Sequence, residues 1–274
     1  MAAVGSRRQA FRRELEPLVC HCLHAGDEGP LRAYLMQHSG LPGPRGNLEL
    51  AAAFVQEATQ AAHHELDRTW SLSLSWTGIH HSLAPTGDPL ELLPFCGAWA
   101  LGSIAAVTGQ RVEEARERLK ALSRDQRWRL REAVANGLQA LLTARPQETL
   151  EALSSWIGSG AWLEMRAVAA GVADPVVLAR PWVAAEAVAL HQRLLDQVET
   201  AEDRTGDFRV FRQALGYTIS VVAVAHPESG PALLARLARS QDRDLAWILR
   251  ENLRKRRLVR AYPDLVRRLR EGGP

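Results

Sequence analysis

Apolar residues recur at intervals of three and four along almost the whole chain, which is the spacing of one face of an α-helix. Ala, Leu, Arg and Glu dominate, and aromatic residues are only 6% of the sequence, a composition that favours helix over strand. Short breaks rich in Gly, Pro, Asp and Ser separate the periodic stretches. The pattern predicts an all-α protein with helices over 6–24, 28–38, 47–66, 89–107, 110–121, 125–143, 147–157, 161–172, 181–199, 207–225, 229–239, 243–257 and 262–270.

Three local signals refine this prediction. Residues 72–76 alternate Leu and Ser as a strand would, but a single strand has no partner here, so we expect a loop or a distorted helix. Asp125, Asp207 and Asp242 stand where an N-cap side chain would accept hydrogen bonds from free backbone amides. Gly97 and Gly102 interrupt an apolar helix and are expected to allow close helix packing.

The second half of the chain repeats one plan: a bulky or aromatic residue, then an Arg, then a helix of small and apolar residues. The four segments are 125–133, 161–169, 208–215 and 244–253, and their Arg residues (Arg131, Arg166, Arg212, Arg250) lie 35, 46 and 38 residues apart. Such spacing is typical of two-helix units of about 40 to 47 residues with variable linkers. Because one unit cannot bury both of its apolar faces, neighbouring units must stack.

These motifs resemble the second helix of HEAT repeats over about residues 120–274. The resemblance implies a HEAT-like α-α superhelix, that is, a curved solenoid of antiparallel helix pairs. Residues 1–110 depart from the plan through longer helices and a Pro-rich loop. We therefore expect residues 1–110 to form an atypical helical N-terminal part of the same solenoid, and 111–274 to form HEAT-like repeats with basic C-terminal helices.

The formal charge of +3 is unevenly distributed. Residues 236–270 contain twelve Lys or Arg and four Asp or Glu, a local net charge of +8, which leaves about −5 for the rest of the chain. A basic segment on a mildly acidic body suits a polyanion or an acidic protein partner, although Arg-rich faces are often only solvated.

One face of the predicted helix 243–257 concentrates these charges, since five of its Arg and Trp side chains point within about 40° of one direction at helical spacing. In a HEAT stack the second helices line the concave surface, so the resemblance implies a basic, aromatic face there. The candidate binding residues are Trp128, Arg131, Arg166, Arg212, Arg243, Trp247, Arg250, Arg254 and Arg257. Three interpretations stay open: bracing of neighbouring repeats by Arg–carboxylate pairs, a nucleic-acid groove, and a site for an acidic protein.

The same features are similar to those of one bacterial family of alkylpurine DNA glycosylases, which use a HEAT-like stack with Trp, Asp and Arg on a basic face. That resemblance implies DNA binding or repair as the alternative function. Asp125, Asp207 and Asp244 are candidates for a catalytic carboxylate, but each is equally readable as a helix cap, so no catalytic residue is assigned. The preferred hypothesis is a non-catalytic binding or scaffolding protein.

A metal site is weakly indicated. Cys20 and His24 have the i, i+4 spacing of two ligands on one helix face, and His63/His64 and His80/His81 form two pairs. No zinc-finger spacing and no HExxH motif occurs. We expect structural roles instead, with Cys20 as a buried thiol, and predict no metal and no cofactor.

The sequence also indicates where in the cell the protein is located. Three cysteines do not make a disulfide framework, no secretory signal follows the N-terminal arginines, and charges or prolines break the longest apolar stretches. We expect a cytoplasmic protein with a protein or nucleic-acid partner, no membrane contact, and no small-molecule substrate that the sequence identifies.

Overall fold

The computed structural model describes residues 2–272, with side chains from residue 7 onward. It divides into two compact units, unit 1 up to Ala144 and unit 2 from Arg145. The described residues form fifteen α-helices and no strand, which confirms the all-α prediction. The boundary between the units follows Ala144, so the helices between residues 110 and 144 belong to unit 1.

The described residues of unit 1 form seven α-helices in two layers. The helices α1, α3, α5 and α7 pack one beside the next, while α2, α4 and α6 cover them from the other layer. The bounds are α1 Ala2–Ala25, α2 Gly29–Gln37, α3 Leu48–Ala61, α4 Leu66–Thr77, α5 Leu92–Thr108, α6 Val112–Leu122 and α7 Trp128–Ala144.

Helix α5 is the core of unit 1 and packs against α3, α4, α6 and α7. Its glycines permit the close approach that the sequence predicts. A Cβ at Gly102 would clash with the carbonyl oxygen of Gly137 in α7, and one at Gly97 would lie 2.6 Å from the carbonyl oxygen of Ser73 in α4. The segment Pro89–Thr108 is long and apolar enough to cross a membrane, contrary to our expectation from the sequence, but 78% of its apolar 18-residue window is buried inside the structure. That is the pattern of a core helix.

Unit 2 repeats the two-layer plan. Helices α9, α11 and α13 pack in order in one layer, and α8, α10 and α12 form the other, while α14 and α15 close the chain against α11, α12 and α13. This is the α-α repeat arrangement predicted for the second half. The bounds are α8 Pro146–Ile157, α9 Trp162–Val172, α10 Pro181–Glu199, α11 Gly206–Ala225, α12 Gly230–Arg239, α13 Arg243–Leu253, α14 Arg256–Ala261 and α15 Pro263–Arg270.

Three local predictions were wrong. The strand-like segment 72–76 belongs to a regular helix, α4. The predicted helix 243–257 is two helices, because the chain turns at Arg254 and Lys255, where the amide of Lys255 donates to the carbonyl of Asn252. Asp207 lies inside the first turn of α11 rather than at its N-cap.

Candidate functional site

Five arginines of unit 2 line a groove where α11 and α13 lie side by side. Asp242 caps α13 as predicted, since its side chain accepts hydrogen bonds from the amides of Asp244 (2.8 Å) and Leu245 (3.1 Å). The helix therefore begins at Arg243 and directs the apolar side chains of Leu245 and Ile248 into the core. The opposite side borders a groove of about 360 Å³ lined by Arg204, Phe208, Arg209, Arg212, Arg243, Asp244, Trp247 and Arg250.

Asp244 organises one side of this groove. Its carboxylate is buried and forms ion pairs with the guanidinium groups of both Arg204 and Arg212. Burial alone would raise the pKa of Asp244, but hydrogen bonds from Arg212 and Arg204 more than offset it and hold the pKa below its usual range. Both oxygens are engaged, so this carboxylate acts as a brace between α11 and α13.

Arg204 connects three parts of unit 2. Besides Asp244, its guanidinium binds both oxygens of Asp242 (2.6 and 3.2 Å) and donates to the carbonyls of Val198 (3.1 Å) and Ala201 (3.3 Å). It thereby ties the end of α10 and the following loop to the start of α13. Burial would raise the pKa of Asp242, but hydrogen bonds from Arg204 and from backbone amides lower it overall.

Trp247 is held on two sides. The guanidinium carbon of Arg212 lies 4.4 Å from the centre of the indole ring, a cation–π contact. The ring also packs on α11, where Gly216 leaves room for it: a Cβ there would meet Trp247 at 3.1 Å. Trp247 therefore fixes α13 against α11 and does not present an open stacking surface.

Three other arginines of the groove have guanidinium groups that are accessible to a ligand. Among residues 7–272, Arg209 and Arg250 take part in no ion pair and no side-chain hydrogen bond, and both are exposed. The side chain of Arg243 is 84% exposed and lies 3.8 Å from the carboxylate of Asp244. The groove thus combines a braced interior with three guanidinium groups open to solvent.

The structure brings together four of the predicted residues of unit 2, namely Arg212, Arg243, Trp247 and Arg250, around one groove. Arg166 is not among them, since α9 buries it to 6% exposure. Arg254 follows the end of α13 and pairs with Glu251 at 2.7 Å.

Arg257 lies on α14, beyond the turn that ends α13. It is therefore not part of the single helical face that the sequence predicts.

The two predicted residues of unit 1 do not form a basic groove there. Arg131 donates to the carbonyls of Asp125 (2.7 Å) and Gln126 (3.0 Å), across the turn that precedes α7. Trp128 is 43% exposed at the edge of an apolar pocket. Asp125 does not cap α7 directly; it accepts from the amide of Arg127 at 2.8 Å and pairs with its guanidinium group.

The histidine and cysteine clusters do not converge. In the part of the chain that the structure describes, no group of three His, Cys, Asp or Glu side chains is placed to hold a metal ion. Cys20 is exposed, so the prediction that it is buried was wrong; Cys22 and Cys96 are buried instead. The rings of His80 and His81 contact each other at a tilt of 46°, with centres 3.9 Å apart, and His80 Nδ1 lies 2.8 Å from the hydroxyl of Ser82.

Sequence reasoning missed Arg204, the residue that joins both aspartates. It lies in the loop before α11, about 40 residues from its partners, and outside the repeated Arg motif. The Asp242-x-Asp244 pair at a helix start could have signalled such a residue. Two carboxylates one residue apart need cationic partners once the fold removes them from solvent.

Comparisons with known proteins add little. No protein-family model matches the chain, and no curated protein matches it. An engineered protein of known structure is similar with a TM-score of 0.32 and 14% identity, covering 88% of this chain and 98% of that one. A designed armadillo repeat protein gives a TM-score of 0.30 and 15% identity, covering 82% and 98%. At these TM-scores the likeness carries no argument, and the assignment of the fold rests on the helix packing described above.

Proposed function

We propose that the chain is a non-catalytic helical-repeat binding protein, cytoplasmic, whose unit 2 groove binds an acidic segment of a partner protein. The observation that carries this proposal is that some arginines of the groove are held in ion pairs while others are open to solvent. Arg204 and Arg212 are held by buried carboxylates, whereas Arg209, Arg243 and Arg250 are exposed at the same groove.

The charge of the groove supports an anionic ligand. The groove and its ion-pair network together contain five arginines and two aspartates, Asp242 and Asp244, which leaves a net charge of +3 for this set. Guanidinium groups bind carboxylates through paired, charge-assisted hydrogen bonds. An acidic peptide therefore fits the three exposed cations without disturbing the braced interior.

The second candidate is a DNA-binding protein, including the DNA-repair function that the glycosylase resemblance implies. One observation favours it: the two helices that follow α13, α14 and α15, carry further exposed arginines, at Arg256, Arg257, Arg260 and Arg268. Exposed arginines neutralise phosphates without reading sequence. A base is not expected to stack on Trp247 in the groove, because the Arg212 guanidinium already covers that ring.

The test is a titration of the full chain with a labelled Glu-rich peptide and, separately, a labelled DNA duplex, each at low and moderate salt. We expect the peptide to bind, and the double variant Arg209→Ala/Arg250→Ala to weaken its binding by about tenfold, at roughly 0.5–1 kcal/mol for each cation. Arg180→Ala, an exposed arginine of unit 2 that does not line the groove, is the matched control and should bind as the wild type does.

Tighter binding of the duplex than of the peptide, with a steep loss of affinity between the two salt concentrations, would favour the DNA candidate. Release of a methylated base from an alkylated DNA duplex would show that the protein also catalyses DNA repair. Peptide binding that the double variant leaves unchanged would refute the groove as the site.

A further inference from the structure

Unit 1 contains a pocket that the proposed function does not use. It lies between the start of α3, the start of α5 and the start of α7, has a volume of about 320 Å³, and is covered on one side by the loop that includes Leu41, Arg45 and Gly46. Its apolar walls are Leu41, Leu48, Leu92, Phe95 and Trp128. Volume and lining both lie within the range of small-molecule sites, at the lower end in volume.

Two buried polar groups stand at this pocket without full hydrogen bonding. Glu91 is 1% exposed and Arg129 is 8% exposed, and both line the pocket. Arg129 donates from Nη1 to Glu91 Oε2 (3.0 Å) and from Nη2 to the carbonyl of Gly43 (2.8 Å). Within residues 7–272, Glu91 Oε1 and Arg129 Nε have no hydrogen-bond partner.

Such atoms are rare in folded proteins, because a buried donor or acceptor without a partner costs free energy. Here the two atoms without any partner are one acceptor, Glu91 Oε1, and one donor, Arg129 Nε. A carboxamide offers the complementary pair, an N–H for the acceptor and a carbonyl oxygen for the donor.

The charges around the pocket balance. Glu91 and Arg129 form an ion pair at the base, and Arg45 and Glu132 contribute one charge of each sign to the lining. A net charge of zero gives no electrostatic advantage to an anion or a cation. The apolar walls include an aromatic mouth, since Trp128 is 43% exposed with the Arg129 guanidinium 4.5 Å from its ring centre.

We propose that this pocket binds a small neutral molecule that carries a carboxamide on an apolar, ring-sized group. The amide meets Glu91 and Arg129, and the ring contacts Phe95, Leu92 and Trp128. A free small molecule fits better than a chain segment, because the loop held by Arg129 at Gly43 closes one side of the pocket.

The test compares three probes of one size: phenylacetamide, phenylacetate and phenethylamine. Each is titrated into the full chain while the indole N–H signal of Trp128 is followed by NMR, with the signal assigned from Trp128→Phe. We expect phenylacetamide to shift this signal saturably, and the acid and the amine to bind at least about tenfold more weakly, a difference of about 1.4 kcal/mol.

Two surface variants serve as a matched pair. Leu48 is 54% exposed and lines the pocket, and Leu83 is 70% exposed in the same unit and does not. Leu48→Arg should abolish binding of phenylacetamide, whereas Leu83→Arg should leave it unchanged. Glu91→Gln keeps the volume but alters the acceptor, and should weaken phenylacetamide about tenfold; if it does not fold, the Leu48 and Leu83 pair still decides.

Equal binding of all three probes would overturn the role given to Glu91 and Arg129. The absence of any saturable shift, or equal losses in Leu48→Arg and Leu83→Arg, would overturn the pocket itself.

Discussion

The bracing role of Asp244 can be tested by Asp244→Asn, which keeps the shape of the side chain and removes its charge. In the wild type the carboxylate is 5% exposed and accepts from Arg204 and Arg212, which are 20% and 24% exposed. The substitution leaves two cations facing a neutral amide that cannot pair with both. We expect the free energy of unfolding to fall.

The magnitude follows from these exposures. A hydrogen bond between charged groups contributes roughly 1.5–3 kcal/mol, so two of them set an upper limit of about 6 kcal/mol. Because a fifth to a quarter of each guanidinium is exposed, water solvates the released cations in part. We therefore expect a loss of about 2–4 kcal/mol, less than for a fully buried pair that loses one partner.

Urea unfolding near pH 7, followed by far-UV circular dichroism, measures this loss. Asp264→Asn is the matched control: Asp264 pairs with Arg267 at 2.9 Å, but its side chain is 73% exposed. An exposed pair three residues apart contributes little, so the control should change stability by less than about 0.5 kcal/mol. If Asp244→Asn is no more destabilising than Asp264→Asn, the bracing argument fails.

The same network predicts a dependence on pH. The pKa values of Asp242 and Asp244 are lowered in the folded protein, so the unfolded chain, with a pKa near about 3.9, binds protons first as acid is added. The stabilisation is complete above about pH 5 and is lost as the pH falls below about 4, through the folded pKa. The stability difference between wild type and Asp244→Asn should therefore narrow in acid. A difference that stays constant down to about pH 2 would contradict an ionic origin.

Three further predictions concern the core. His191 is fully buried, and burial lowers its pKa to about 4, so as the pH falls from about 7 to about 4 the wild type should lose about 3 kcal/mol in urea titrations, a loss that His191→Gln should lack. Gly102→Ala should destabilise by about 3 kcal/mol or more, or prevent folding, in thermal unfolding of unit 1, because the new methyl group would meet the backbone of α7. Asn252→Ala should cost about 3 kcal/mol, because Asn252 accepts from the amide of Ser220 and donates to the carbonyl of Leu215, both at 2.8 Å; an unchanged urea midpoint would refute this.

Most helices could be predicted from the sequence because each has one apolar face, and the exceptions have physical reasons. In α4 the buried positions include Thr69 and Ser73, whose polarity hides the helical period. The hydroxyl of Ser73 donates to the carbonyl of Thr69 at 2.9 Å, which lets a polar residue lie in the core. The break between α13 and α14 after Leu253 contains neither Gly nor Pro, the residues that usually mark a helix end. Arginines also recur at helical spacing on both sides of it, so the sequence pattern continues unchanged.

The candidate site was predictable in residue type but not in role, because the role of an arginine depends on which carboxylate the fold brings near it. The four arginines of the repeated motif show this. Arg131 binds backbone carbonyls, Arg166 is buried, Arg212 pairs with Asp244 and covers Trp247, and Arg250 is exposed without an ion pair among the described residues.

A motif that recurs for packing reasons thus places chemically equal side chains in unequal surroundings. Where the fold buries a carboxylate within reach of an arginine side chain, the guanidinium pairs with that carboxylate and stabilises the fold. Leaving the carboxylate unpaired would cost more free energy than the arginine could gain by binding a ligand. Only arginines whose side chains stay largely exposed, such as Arg243 at 84%, keep hydrogen-bonding capacity for a partner. For this reason Arg209, which lies outside the motif, belongs with Arg250 in the proposed site, and Arg212, which lies inside it, does not.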